Sequence, residues 1–143
     1  MVIEICLLVL MLICSVVDIR TKEIPLWEIA ICAVLSTAKV VLDLRGGEAD
    51  IAGIIFSLLP GAFLLVLSFI TKEGIGYGDG LMVLLMGPAL GAEGLILGML
   101  IAFFASSFFS AILLIIKKVK KNYRIPFIPF MTIGMGVMIL API

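Results

Sequence analysis

Residues 51–70 read IAGIIFSLLPGAFLLVLSFI and contain no Asp, Glu, Lys or Arg. A helix of about 20 apolar residues is as long as the hydrocarbon core of a bilayer is thick, roughly 30 Å. The stretch therefore predicts a transmembrane helix. Similar apolar stretches precede and follow it along the chain.

The composition of the whole chain supports a membrane protein. Of the 143 residues, 64% are apolar and 14% are charged, and the mean hydropathy is +1.37. A soluble domain is about half apolar and about one quarter charged. A chain this apolar cannot cover itself with polar side chains, so we expect it to be an integral membrane protein in contact with lipid.

Further apolar runs predict an all-α protein with about six transmembrane helices. The fourth run is short and contains Gly87 and Pro88, so it is either a tilted or partly re-entrant segment or the first part of one long broken helix with the fifth. The predicted spans are residues 2–17, 26–43, 51–70, 80–92, 94–116 and 125–142.

The distribution of Lys and Arg predicts the orientation, because cytosolic loops are enriched in these residues. Basic side chains concentrate in residues 18–25, 71–79 and 117–124. This places those loops in the cytosol and both termini outside, in a multi-pass protein of the inner (plasma) membrane. The cluster KKVKK, residues 117–121, is interpreted as an anchor at the lipid headgroups, with lipid or substrate binding as the alternative.

Several function classes are disfavoured by composition. The formal net charge is zero, which gives no electrostatic case for a nucleic-acid partner. Histidine is absent, and Cys6, Cys14 and Cys32 lie in apolar runs without the spacing of metal ligands. We therefore expect no metal and no cofactor.

Two acidic residues stand out by their positions. Asp18 follows the first predicted span and Asp79 precedes the fourth, so both are predicted at the cytosolic membrane boundary. Two carboxyl groups close together in a poorly hydrated cleft cannot both ionise cheaply, so they share a proton. Such a pair can hydrolyse a peptide: the ionised carboxylate activates water, and the protonated carboxyl donates to the scissile carbonyl.

Glycines alternate around the second aspartate, at Gly74, Gly76, Gly78 and Gly80. A backbone without side chains can adopt unusual conformations and lets an extended substrate strand approach closely. These glycines are predicted to shape a substrate-binding loop. Tyr77, which lies among them, is assigned to the same loop as a substrate-binding or loop-shaping residue, with an aromatic residue of the membrane interface as the alternative.

The acids also have a simpler interpretation. Asp18 could pair with Arg20 or Lys22 at the membrane surface, and the glycines could form an ordinary flexible loop. Glu23, Glu28 and Glu73 are interpreted as charges of loops or of the membrane interface.

Three sequence motifs resemble those of the type IV prepilin peptidases. DIRTKEIP, residues 18–25, resembles the first aspartate motif, in which Ile-Pro (here ending at Pro25) follows the aspartate at this spacing. GYGD, residues 76–79, resembles the second motif, GxGD. IPFIPF, residues 125–130, resembles the segment that opens the last helix, with Pro126, Phe127 and Pro129 as its structural residues.

The resemblance implies a membrane-embedded aspartic endopeptidase with Asp18 and Asp79 as the catalytic pair. Members remove short basic leader peptides from prepilins and pseudopilins on the cytosolic side, cutting after a glycine and before a hydrophobic helix. The chain is similar to the short members that lack a methyltransferase region, so residues 1–143 are expected to form one peptidase domain. It departs from the common pattern at Leu26 and Leu81, where many members have a polar helix cap and a lysine.

Two other functions remain open on sequence alone. Intramembrane acids are also typical of proton- or ion-coupled transporters, although both aspartates are predicted at one face of the membrane. The chain could also be a non-catalytic membrane subunit of a pilus or secretion assembly.

Overall fold

The computed structural model describes residues 1–72, 76–117 and 125–141. The regular secondary structure of these residues is α-helical, which confirms the predicted all-α class. The described residues form five helices: α1 (Val2–Thr21), α2 (Leu26–Gly46), α3 (Ile51–Ile70), α4 (Tyr77–Lys117) and α5 (Ile128–Leu140).

Three helices of the described chain are long and apolar enough to cross a membrane: α1, α3 and most of α4, Tyr77–Ile116. α5 is apolar but shorter. α2 is long enough, but it carries Glu28, Lys39 and Asp43 within its predicted span. Six crossings and the outside position of both termini therefore remain predictions.

α4 contains the predicted fourth and fifth spans in one element, broken at Gly91. Gly91 has φ 74° and ψ 164°, a conformation outside the helical region. Gly87 and Leu95 lie on opposite sides of this break, and a Cβ at Gly87 would lie 3.3 Å from Leu95 Cδ2. Residues eight positions apart in one straight helix are separated by about 12 Å along its axis. The chain therefore folds back at Gly91, as the prediction of a broken helix allowed.

Three helices, α1, α2 and α4, extend beyond the apolar runs that predicted them, whereas α5 is shorter than its predicted span 125–142. α1 continues to Thr21, where Lys22 adopts a left-handed conformation (φ 55°) and its N–H bonds the Asp18 carbonyl oxygen at 2.8 Å. α4 begins at Tyr77. Hydropathy detects only the part of a helix in the hydrocarbon, whereas backbone hydrogen bonds continue into the polar boundary. Asp18 therefore lies in the last turn of α1 and Asp79 in the first turn of α4.

Glycines allow close approach of two helix pairs. α3 contacts α4 at Gly61, where a Cβ would overlap the backbone of Leu84. α4 contacts α5 at Gly134, where a Cβ would overlap the carbonyl oxygen of Gly98. Methionine side chains fill much of the interior between these contacts. Those that are fully buried are Met11, Met82, Met86, Met131 and Met135.

Candidate active site

Asp18 is held between the end of α1 and the start of α5. Its side chain is 5% exposed, and its Oδ2 accepts a hydrogen bond from the backbone N–H of Ile128 at 3.2 Å. Ile128 is the first residue of α5. The first N–H groups of a helix have no partner within the helix and are suited to bind a carboxylate. The start of α5 therefore fixes the position of the Asp18 carboxyl group.

Asp79 is partly buried in the first turn of α4. A Cβ at Gly76 would lie 2.8 Å from Asp79 Oδ2, closer than real Cβ contacts. Glycine at position 76 therefore leaves room for the carboxyl group in the orientation observed. Gly74 belongs to the predicted loop but lies outside the described residues.

Asp18 and Asp79 line one cleft of about 730 Å³. The structure thus places two acids that are distant in sequence on the wall of the same cleft. Of the other predicted site residues, those that also line the cleft are Gly76, Tyr77, Gly78, Pro126 and Phe127.

The remaining predicted residues lie outside this lining. Gly80 is buried against α3, where a Cβ would lie 2.9 Å from Leu65 Cδ2. Pro25 is the N-terminal cap residue of α2, with extended backbone at ψ 142°. Pro129 lies in the first turn of α5, where proline fits because the early N–H groups need no helical partner. These three residues position helix ends around the cleft.

The basic cluster predicted as a headgroup anchor falls almost entirely outside the described residues, which resume at Ile125. Glu73 also lies outside them. The assignments of Lys118, Lys120 and Lys121 to the membrane surface therefore remain predictions.

Further cleft residues were not singled out as site residues by the sequence, among them Lys22, Glu23, Phe103 and Ser106. Lys22 and Glu23 are exposed at its mouth. Phe103 and Ser106 come from the second half of α4, and the Phe103 ring packs on Phe127 with centroids 5.2 Å apart. No local motif marks Phe103 or Ser106, because they reach the cleft only through the reversal of the chain at Gly91.

Glu28 was interpreted as a charge of a loop or of the interface, and this interpretation is wrong. It lies in the first turn of α2 with an exposed fraction of 0%. Neither carboxyl oxygen has a hydrogen-bond partner among the described residues. A sequence signal was available: Glu28, Cys32 and Ser36 recur every four residues, and all three are buried on one face of α2.

The described residues contain no group of three or more His, Cys, Asp or Glu side chains that could hold a metal ion. The polar side chains that line the cleft, set among apolar walls, are those of Asp18, Asp79, Lys22, Glu23, Tyr77 and Ser106. Carboxyl groups in such surroundings are suited to general acid–base catalysis.

Comparison with known proteins gives one match. The model of the type IV leader peptidase family matches residues 5–115, a stretch that contains both aspartates and ends before the segment 125–130. No curated protein and no solved structure gives a significant match. The matched region covers well over half of the sequence, and it confirms the family that the motifs indicated. The chain therefore belongs to the type IV leader peptidase family.

Proposed function

We propose that this protein is a membrane-embedded aspartic endopeptidase that removes the leader peptide of prepilin-like substrates. The observation that carries the proposal is the cleft that Asp18 and Asp79 line together, in a chain of a leader peptidase family. Asp18 comes from α1 and Asp79 from α4, so the cleft forms only in the folded protein. If Asp18 were only a charge at the membrane surface, it would need neither its low exposed fraction of 5% nor a hydrogen bond from a helix distant in sequence.

The two carboxyl groups act as a general acid and a general base that share one proton. The ionised carboxylate takes a proton from a water molecule, which attacks the scissile carbonyl carbon. The protonated carboxyl donates to the carbonyl oxygen and later assists departure of the amine. The hydrogen bond from Ile128 keeps the Asp18 carboxyl in place during these proton transfers.

The walls of the cleft suit an extended apolar peptide segment. Gly76 and Gly78 present backbone without side chains beside Asp79, where a substrate strand can pair through its own backbone. Leu81, Phe103 and Phe127 provide apolar surface on the other sides. A leader junction that precedes a hydrophobic helix fits these surroundings.

The site is proposed to face the cytosol from the inner (plasma) membrane. The basis is the excess of Lys and Arg in the segments next to the C-terminal end of α1 and the N-terminal end of α4. Both aspartates lie at these helix ends.

The test is leader removal in cells that co-express the protein with prepilins that carry glycine before a hydrophobic run. We expect processing by the wild type and its loss in Asp18→Asn and in Asp79→Asn, since Asn keeps the shape but cannot exchange the proton. The matched control is Asp50→Asn. Asp50 caps α3 by accepting from the Gly53 N–H at 3.0 Å, and Asn caps equally well. Processing at the wild-type rate by either active-site variant would show that the aspartate pair is not the catalyst.

A further inference from the structure

The second half of α4 brings a hydroxyl group into the cleft. Ser106 lines the cleft together with Asp18 and Asp79, and the residue is half-buried. Asp79 lies twelve residues before the break at Gly91, and Ser106 lies fifteen residues after it. At about 1.5 Å per residue, these two stretches of helix are about 18 Å and about 22 Å long. Because the chain reverses at Gly91, Ser106 lies at about the same depth as Asp79.

Contacts with α5 hold this part of α4 in place. The Phe103 ring packs on Phe127 with centroids 5.2 Å apart, and the Phe109 ring packs on Phe130 with centroids 5.4 Å apart. Ser106 lies midway between the two phenylalanines of α4 in sequence, three residues from each. The same start of α5 donates the hydrogen bond that holds the first aspartate. One helix end therefore supports both that aspartate and the serine.

The Ser106 hydroxyl is available to a ligand in the cleft. Ser and Thr side chains inside helices can donate to the carbonyl oxygen four residues earlier, as Thr37 does to Ala33 at 2.7 Å and Thr132 does to Ile128 at 2.8 Å. Within the part of the chain that the structure describes, the Ser106 hydroxyl has no hydrogen-bond partner. A hydroxyl without a partner among apolar walls is unfavourable until a ligand satisfies it.

An extended peptide in the cleft needs a donor on the wall formed by the second half of α4. A strand carries hydrogen-bonding groups along both of its edges. One edge can pair with the backbone at Gly76 and Gly78, as proposed above. The carbonyl oxygens of the other edge then face apolar surroundings, where they are costly to leave without a donor.

The other polar side chains of the cleft are committed elsewhere. They are those of Asp18, Asp79, Lys22, Glu23 and Tyr77. The two aspartates are the proposed acid and base, and Lys22 and Glu23 are exposed at the mouth of the cleft. Tyr77 belongs to the glycine segment itself. Ser106 therefore supplies the side-chain donor on the wall that the second half of α4 forms.

We propose that Ser106 is a substrate-binding residue of the peptidase site, whose hydroxyl donates a hydrogen bond to a backbone carbonyl oxygen of the extended substrate beside the scissile bond. The inference rests on the peptidase function proposed above. A peptide has a backbone carbonyl at every position, so this contact aligns the strand without reading its side chains. The serine takes no part in the proton transfers of the two aspartates.

The first test compares Ser106→Ala with Ser107→Ala in leader cleavage by purified protein. Both changes remove a hydroxyl from the same stretch of α4, but Ser107 is exposed and does not line the cleft. A substrate carbonyl that loses its donor in a desolvated site weakens the complex, so we expect kcat/KM to fall by about tenfold in Ser106→Ala. We expect Ser107→Ala to cleave like the wild type.

Thermal stability distinguishes substrate binding from a structural role. The Ser106 hydroxyl has no partner among the described residues, so its removal should not lower the Tm in detergent. Ser106→Thr keeps the hydroxyl and should recover part of the lost kcat/KM. If Ser106→Ala lowers the Tm but cleaves at the wild-type rate well below that Tm, the serine is a packing residue and the proposal is wrong.

Changing the substrate locates the contact. A synthetic peptide with glycine before an apolar run is prepared with one backbone carbonyl at a time replaced by a thiocarbonyl, whose sulfur is a weaker acceptor. The effects of two groups in direct contact are not additive. At one position, the replacement should therefore reduce kcat/KM for the wild type but have little further effect on Ser106→Ala. If the two losses add at every position, Ser106 does not bind a substrate carbonyl.

Binding to an inactive protein separates this proposal from the proposed function. The unmodified peptide is bound to Asp79→Asn, alone and combined with Ser106→Ala or with Ser107→Ala. We expect the Kd to rise by about tenfold only in the combination with Ser106→Ala. If the wild type cleaves the peptide and Ser106→Ala changes neither Kd nor kcat/KM, this proposal is wrong and the proposed function stands.

The opposite result is also informative. If Ser106→Ala weakens binding but the wild type does not cleave the peptide, the proposed function fails and the binding role of the serine stands. A wild type that neither binds nor cleaves the peptide contradicts both.

Discussion

The carboxylate oxygen Oδ2 of Asp18 accepts a hydrogen bond from the backbone N–H of Ile128 at 3.2 Å, although 110 residues separate the two in sequence. This contact joins the end of α1 to the beginning of α5. It gives a physical role to the segment 125–130, which resembles a family motif but lies beyond the matched region. The segment places a free helix N–H where the first aspartate of the cleft needs a partner.

Lengthening the Asp18 side chain tests whether this placement matters. Asp18→Glu keeps the charge but moves the carboxyl group by one methylene, away from the Ile128 N–H. Displacement of a reacting group by about 1 Å can reduce the rate by about 100-fold, and we expect a loss of that size in kcat. The check is leader cleavage by purified protein, with Asp50→Glu as the control at an exposed helix cap. Cleavage by Asp18→Glu at more than half of the wild-type rate would contradict the role of the contact.

Gly76→Ala addresses the second aspartate. The added Cβ would lie 2.8 Å from Asp79 Oδ2, and the carboxyl group can relieve this contact only by rotating away from its position. Because Gly76 is exposed, we expect unchanged thermal stability and a fall in kcat of about tenfold or more. The control is Gly94→Ala, where the nearest atom, Leu90 Cβ, is at an ordinary 3.7 Å. Full activity of Gly76→Ala would mean that the orientation of Asp79 is unimportant.

Much of the fold and the aspartate pair could be predicted from the sequence, because both depend on local patterns. An apolar run such as 51–70 predicts a helix by itself, and α3 has those bounds. Asp18 and Asp79 each carry a short motif around them. Two of the glycines predicted to shape the substrate-binding loop also pack against side chains of other segments: Gly78 lies against Ile24 and Gly80 against Leu65.

Features that depend on tertiary structure were harder to predict. Ser106 reaches the cleft only because the chain reverses at Gly91, and a glycine in an apolar run does not reveal its dihedral angles. Glu28 was assigned to the surface because buried carboxyl groups are rare. Its position on the same face of α2 as Cys32 indicated burial instead.

The contact of α4 with α5 predicts a stability effect. A Cβ at Gly134 would overlap the carbonyl oxygen of Gly98 and lie 3.2 Å from the Ala102 nitrogen, and these backbone atoms cannot move without separating the helices. We expect Gly134→Ala to reduce stability by about 1–3 kcal/mol, seen as a lower Tm in detergent. Gly136→Ala is the control, since its nearest atom is a Leu8 methyl group at 3.3 Å that can rotate. Equal Tm values for the two variants would contradict this account.

The last prediction concerns a charge cluster at the opposite end of α1 and α2 from the cleft. The Lys39 ammonium lies 2.6 Å from Asp43 and 3.4 Å from Glu4, and its side chain is 14% exposed. Removing the Lys39 ammonium group leaves two partly buried carboxylates without this partner. The loss lowers the free energy of unfolding by more than the loss of an exposed ion pair does. We expect Lys39→Met to reduce stability by about 1–2 kcal/mol and to leave kcat unchanged, because neither Lys39 nor its partners line the cleft.

Arg45→Met serves as the control for this prediction, because it removes an exposed charge from the same helix. A Tm measured in detergent together with leader cleavage at a temperature well below the Tm separates the two effects. If Lys39→Met reduces kcat while the protein is fully folded, the cluster influences the active site along α1 or α2, and its role is not confined to joining the two helices.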